Sequence, residues 1–139
     1  SSLRWLDTAA SWDWMVDNWV AVLRASGVGP SDRIFYAFSF GPFLGFWTAF
    51  AAGERLGCLC LPGGGMSTEA RLLAILENDV TTLCCTPTYA IRLGEVAREQ
   101  GIDLGRGAVR ALVVAGEPGA GIPETRAYIE SLWPGARLW

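Results

Sequence analysis

The stretch "TTLCCTPTYAIRLGEVAREQGIDLGRGAVRALVVAGEPGAG", residues 81–121, decides the fold. "TTLCCT" is a short apolar run of strand length. Thr86 and Pro87 then supply a helix N-cap and a first helical residue, where proline's missing N–H removes no bond. The pattern predicts a helix through "TYAIRLGEVAREQ" to Gly101, and "VRALVVAG" is a second, almost wholly apolar strand. Strand, helix and strand in succession, with neither strand alternating polar and apolar residues, predict a parallel crossover in a sheet covered on both faces.

The same alternation extends outward. "DRIFYAFS" and "CLCLP" read as strands, the latter ended by Pro62 and Gly63–Gly65. Ser67 or Thr68 caps a helix through "EARLLAILEN", with Leu72, Leu73, Ile75 and Leu76 as its buried stripe. Gly41 to Leu56 is helix-like but apolar nearly all round, so both its sides are expected to be covered. Upstream, "SWDWMVDNWVAVLRASG" places Trp12, Met15, Val16, Trp19, Val20 and Leu23 on one helix face. Ser11 is its expected N-cap, Asp13 suits the positive end of its dipole, and Gly27 closes it. Pro123 opens a helix to about Trp133, and "ARLW" begins another strand. The expectation is a single α/β unit over residues 1–139, with a mostly parallel sheet, helices on both faces and right-handed crossovers. It opens on a helix with no preceding strand and stops as a strand begins, so it reads as truncated at both ends.

Composition narrows the function classes. Hydrophobic residues make up 51% and charged residues 18%, which disfavours a disordered chain. A net charge of −3 without a Lys/Arg cluster argues against nucleic acid as the main partner. No apolar run reaches the ~20 residues of a membrane span; "GPFLGFWTAFAAG" comes nearest, and Glu54 and Arg55 end it. Residues 1–14 lack a signal-peptide pattern, so the expected compartment is the cytoplasm. Cys58 and Cys60, and Cys84 and Cys85, lack the two-residue gap of a zinc or redox pair. They read as small core residues, with a metal site the alternative. There is no histidine, which excludes a histidine base or ligand within this chain.

Ligands of open parallel sheets collect where loops leave the carboxyl ends of the strands. "GEPGAG" has neither the glycine order of a dinucleotide fingerprint nor a following Gly-Lys-Ser/Thr. Two readings remain open. It is a wide turn into the Pro123 helix, or a flat ligand lies against the peptide planes of Ala115, Gly116, Glu117 and Pro118. Gly63–Gly65 precede a helix and invite a phosphate reading, but no cation accompanies them in the sequence, and a loose connector is the alternative. In "FSFGPF", Phe38 and Phe40 face one side if the strand continues, and Phe43 lies beyond the turn. They are core, or they line a pocket for a flat apolar ring to which Tyr89 adds a wall or a hydroxyl. Trp12, Trp14 and Trp19 on the first helix read as core or as a contact with further protein.

"DRIFYAFSFGPFLGFWTAFAAGERLGCLCLPGGG", "TPTYAIRLGEVAREQGID" and "ALVVAGEP" together resemble the phenylacetate–CoA ligases of the adenylate-forming acyl-CoA ligase superfamily. The resemblance implies a Rossmann-like part of the large N-terminal domain. It also implies two half-reactions. A carboxylate attacks the α-phosphate of Mg-ATP to give an acyl-adenylate and pyrophosphate, and the thiol of coenzyme A then displaces AMP. "AGEP" corresponds to the segment on which the adenine lies, with the acyl group near Ala115 and Gly116. Phe38, Phe43 and Tyr89, with Phe40 beside them, fall at aromatic walls of an aryl-acid pocket. All four loops are expected along one rim, with Phe38, Phe43, Tyr89 and Gly116 around a single cleft. Gly116 stands where relatives often have alanine, and "SFGPF" departs from a glycine-richer pattern. The family's Ser/Thr/Gly-rich phosphate loop, magnesium-binding acid, small C-terminal domain and adenylation lysine have no counterpart here. The resemblance therefore implies no catalytic or metal-binding residue in the chain, and it allows a homodimer. The alternatives are another adenylate-forming enzyme with a different acceptor, such as a coenzyme F390 synthetase-like protein, or a non-catalytic α/β ligand-binding module.

Overall fold

The computed structural model describes residues 6–139 of the chain, and part of the N-terminal stretch read for a leader, residues 1–5, lies outside them. In order it forms α1 (Ala9–Ala25), β1 (Arg33–Tyr36), α2 (Leu44–Arg55), β2 (Leu59–Pro62), α3 (Thr68–Glu77), β3 (Thr82–Cys85), α4 (Pro87–Glu99), a 3-10 turn (Leu104–Arg106), β4 (Ala111–Val114), α5 (Pro123–Leu132) and β5 (Arg137–Leu138). The five strands make one sheet in the order β2-β1-β3-β4-β5. Every pairing is parallel, with Ile34 beside Cys60 and Thr82, Thr82 beside Ala111, and Ala111 beside Arg137.

Local chemistry sets the element ends. α1 starts earlier than expected: Thr8 is the N-cap and Ser11 its reciprocal partner in a capping box. Asp13 therefore lies beyond the first turn and pairs with Arg55 of α2 instead of the dipole. Gly27, at φ 78°, closes α1 as expected, with its N–H on Arg24 O and the Val28 N–H on Leu23 O. Ser67 caps α3 through the Ala70 N–H, and Thr86 caps α4 through the Tyr89 N–H ahead of Pro87.

The alternation of each strand splits the interior into two layers. Phe35, Leu83, Cys85 and Leu112 face α3, α4 and α5, where Leu72, Leu93, Ile129 and Trp133 meet them. The Trp133 indole N–H donates to Ala90 O at 3.0 Å, so the large ring carries no orphaned donor. Ile34, Tyr36, Cys84 and Val113 face α1 and α2, where Val16, Val20, Leu23, Ala49 and Ala52 meet them. Gly53 lets α2 close on β1, because a Cβ there would strike the Tyr36 hydroxyl and come within 2.7 Å of Cys60 Sγ.

Several expectations need correcting. α2 is not covered on both sides: Leu44 and Trp47 are exposed at its N-terminal end. On α3, Arg71 is buried while Leu73 is exposed. All four cysteines are free, but only Cys84 and Cys85 are fully buried, whereas Cys58, just before the edge strand β2, and Cys60, within it, are half-buried. Burial raises all four thiols, Cys60 to about 11. Among the described residues, no helix is long and apolar enough to cross a membrane.

The amino edge of the sheet is stitched by one buried carboxylate. Asp32 accepts bonds from the Gly29 N–H (2.8 Å), the Thr81 hydroxyl (2.6 Å) and the Arg110 guanidinium (2.7 Å). These tie the segments entering β1, β3 and β4 and leave the opposite edge to the loops.

Candidate functional site

The strand order places a switch point between β1 and β3. The chain leaves β1 through α2 on one face, then returns from β2 to β3 through α3 on the other. Loops that diverge in this way leave a crevice beyond the carboxyl ends of the strands. Ala37 stays bonded to Cys84 O at 2.9 Å, after which the two chains part.

On the α1–α2 side, residues 39–41 turn sharply. Phe40 has φ 55°, unusual for a side chain of its size, and the Gly41 N–H donates to Ser39 O at 2.8 Å. The Trp47 indole N–H donates to Gly41 O at 3.0 Å and holds the turn against α2. Phe38, only 5% exposed, stacks on Phe46 with centroids 4.0 Å apart, and Phe40 is buried beside it. Phe43 is 56% exposed, its ring 5.5 Å from Phe46. Phe40, Trp47, Phe50, Pro62 and Gly64 enclose an apolar cavity of about 320 Å³.

On the β3–β4 side, Ala115 donates its N–H to Cys85 O at 3.2 Å, and the chain then emerges as an exposed ribbon from Gly116 to Pro118. Gly116 adopts φ 96°, which a side chain rarely tolerates. The Glu117 carboxylate accepts the Thr88 N–H at 2.8 Å and also the Thr88 hydroxyl, fastening the ribbon to the first turn of α4. The Thr88 hydroxyl and N–H hold this carboxyl below its ordinary range. Ala115 also borders an apolar groove of about 250 Å³ with Trp19, Val22, Val113 and Trp139.

The structure thus brings Gly116 and Glu117 against the turn that carries Tyr89, and links Phe38 to Phe43 through Phe46. Tyr89 packs with the α3–α5 layer, and Phe38 with the α1–α2 layer. The reason is the switch point, which sends the two loops to opposite faces. Phe38 and Phe40 also do not share a strand face, because β1 ends at Tyr36.

Sequence reasoning missed Arg71. Its Nε donates to Gly63 O at 2.8 Å, so a cation does accompany the triple glycine. Its guanidinium lies 4.9 Å from the Tyr89 ring centroid, and the Tyr89 hydroxyl is 3.3 Å from the Thr68 hydroxyl. The signal was present in the three- and four-residue spacing of Thr68, Arg71, Leu72 and Ile75, which outranks a stripe drawn through Leu73. Among the described residues, no group of three or more His, Cys, Asp or Glu side chains is placed to hold a metal ion.

No protein-family model matches the chain. It is 33% identical over 108 residues to the phenylacetate–coenzyme A ligase of Escherichia coli, a match covering 74% of this chain and 25% of that protein. The enzyme of the same name from Pseudomonas putida is 30% identical over 92 residues, covering 63% and 21%. Among solved structures, 2-hydroxyisobutyryl-CoA ligase in complex with 2-HIB-AMP and CoA superposes with a TM-score of 0.89 at 27% identity, over 99% of this chain and 30% of that one. The chain spans about a quarter of the length of the curated relatives it matches. By sequence and fold together, the chain is similar to a segment of the phenylacetate–CoA ligases and shares the fold of the matching part of an acyl-CoA ligase.

Proposed function

We propose that the protein carrying this chain activates a small aromatic carboxylic acid with ATP and magnesium, releasing pyrophosphate, and passes the acyl group from the adenylate to coenzyme A. The observation that carries this reading is the exposed ribbon Ala115–Pro118, clamped to α4 by Glu117 and kept open by a glycine at φ 96°. A peptide ribbon with a glycine at its exposed bend accepts a flat purine, and the clamp fixes its height before the ligand arrives. In this reading Ala115, Gly116 and Pro118 contact the adenine through backbone, and Glu117 holds them in place. Phe43 is the exposed wall of the acid site on the α2 side, Tyr89 bounds it on the α4 side, and Phe38 and Phe40 set its depth from behind.

The reaction asks for alignment and charge stabilisation more than for a base. The acid attacks as its carboxylate, so no proton must be removed, and a chain without histidine suits that chemistry. Magnesium, when bound, would neutralise the phosphates; the family's residues for that task are not among these 139, so the chain by itself would not complete ligation. A cytoplasmic homodimer belongs to the same proposal.

The test is acid-dependent pyrophosphate release by the protein carrying this chain, with phenylacetate compared with acetate. Phenylacetate should be strongly preferred. Phe43→Asp should raise the KM for phenylacetate by about tenfold or more while leaving that for ATP unchanged. Equal turnover of both acids, or an unaltered KM in the variant, would contradict the assignment. The alternative of a non-catalytic module would show binding without pyrophosphate.

A further inference from the structure

Arg71 is a buried cation. Only 7% of the residue is exposed, yet it forms no ion pair among the described residues. Its hydrogen bond is the one from Nε to Gly63 O, and its terminal Nη nitrogens donate to no described residue. They are not sealed in either: the orphaned buried polar atom among the described residues is Thr82 Oγ1, so the Nη groups keep some contact with solvent. A charge withdrawn from water is costly unless it meets an opposite charge. Stacking on Tyr89 offsets part of that cost but leaves the planar fork of Nη donors unused.

The groups around the fork share its preference. The Tyr89 ring on which the guanidinium stacks carries a hydroxyl 3.3 Å from the Thr68 hydroxyl. Arg71 itself sits in the first turn of α3, a ten-residue helix whose N-terminal end carries partial positive charge. The carbonyl that fixes Nε belongs to Gly63, whose Cα must pack flat: a Cβ there would lie 2.7 Å from the Phe35 ring and 2.9 Å from Tyr36 O. The loop is therefore pressed into place by the core, and it holds the guanidinium in one orientation. Glu69, the nearby acid of the same turn, is exposed and pairs with no cation among the described residues.

We propose that Arg71, with the Thr68 and Tyr89 hydroxyls, forms a binding site for an oxyanion at the carboxyl edge of the sheet. Phosphate and carboxylate both offer the paired oxygens that a guanidinium fork accepts. The site lies on the α3–α4 side of the switch point and shares Tyr89 with the proposed acid site, and its geometry stands whether or not the ligase reading holds.

The experiment uses the protein carrying this chain. Thermal midpoints are followed against inorganic phosphate, against phenylacetate, and against chloride at matched ionic strength. Phosphate or phenylacetate should raise the midpoint saturably where chloride does not, and the arm that saturates at lower concentration identifies the source of the anion. Arg71→Gln should weaken that response by about tenfold or more, and Arg24→Gln, on the far side of the molecule, should leave it intact. Should Arg71→Gln fail to fold, amide shifts of the unmodified chain decide. Saturable movement of Gly63–Gly65, Thr68 and Tyr89 supports the site. Identical responses to all three salts, a response surviving in Arg71→Gln, or shifts scattered over the surface would overturn it.

Discussion

Asp32 and Thr82 show how much a single polar atom decides in this sheet. Burial pushes the Asp32 carboxyl up, but the bonds from Thr81, Gly29 and Arg110 outweigh it, and the net shift is below the ordinary value of 3.8. A carboxyl depressed in the folded state adds stability that is present above its unfolded value and lost as the pH falls toward its native one. Asp32→Ala should destabilise the chain by roughly 2–4 kcal/mol at neutral pH, the half-exposed Arg110 partner keeping it below a fully buried pair. In urea titrations the gap to the unmodified chain should narrow as the pH drops below that carboxyl range; a gap independent of pH would contradict the assignment. Thr82 is the converse case. Its hydroxyl is buried in the central strand without a partner among the described residues, so Thr82→Val should raise stability by about 1 kcal/mol. A lower urea midpoint in that variant would mean that the hydroxyl has a partner.

At the scale of elements, two helix glycines that look alike in sequence do opposite jobs. Gly94 lies where α4 crosses α5, and a Cβ there would come within 2.6 Å of Leu132 Cβ. Gly94→Ala should therefore destabilise by roughly 1–3 kcal/mol through overpacking, despite alanine's better helix propensity. Gly45, near the start of α2, has no neighbour within 4 Å of such a Cβ, so Gly45→Ala should stabilise by about 0.5–1 kcal/mol. Paired urea midpoints test both signs at once. The elements themselves were legible because caps and apolar runs are local: Thr86-Pro87, Ser67 and Gly27 act as the sequence implies. The turns were not. Phe40 leaves the strand because the Trp47 indole and the packing of α2 hold residues 39–41, a contact no local pattern encodes. Arg71 was hidden because its partner Gly63 precedes its own helix, across the cap.

For the whole molecule, the parallel alternation was readable from residues 81–121, but the side of the sheet taken by each loop was not. That side depends on strand order, and with the order β2-β1-β3-β4-β5 Phe38 packs in the α1–α2 layer and Tyr89 in the α3–α5 layer. The central claim is that this carboxyl edge, with the Ala115–Pro118 ribbon, receives the adenylate. Hydrogen exchange of the chain with a non-hydrolysable phenylacetyl-adenylate analogue tests it directly. The account predicts slowed exchange in residues 86–90 and 114–121, with none at residues 28–34 around Asp32 on the opposite edge. Protection confined to that opposite edge, or absent at saturating analogue, would contradict it.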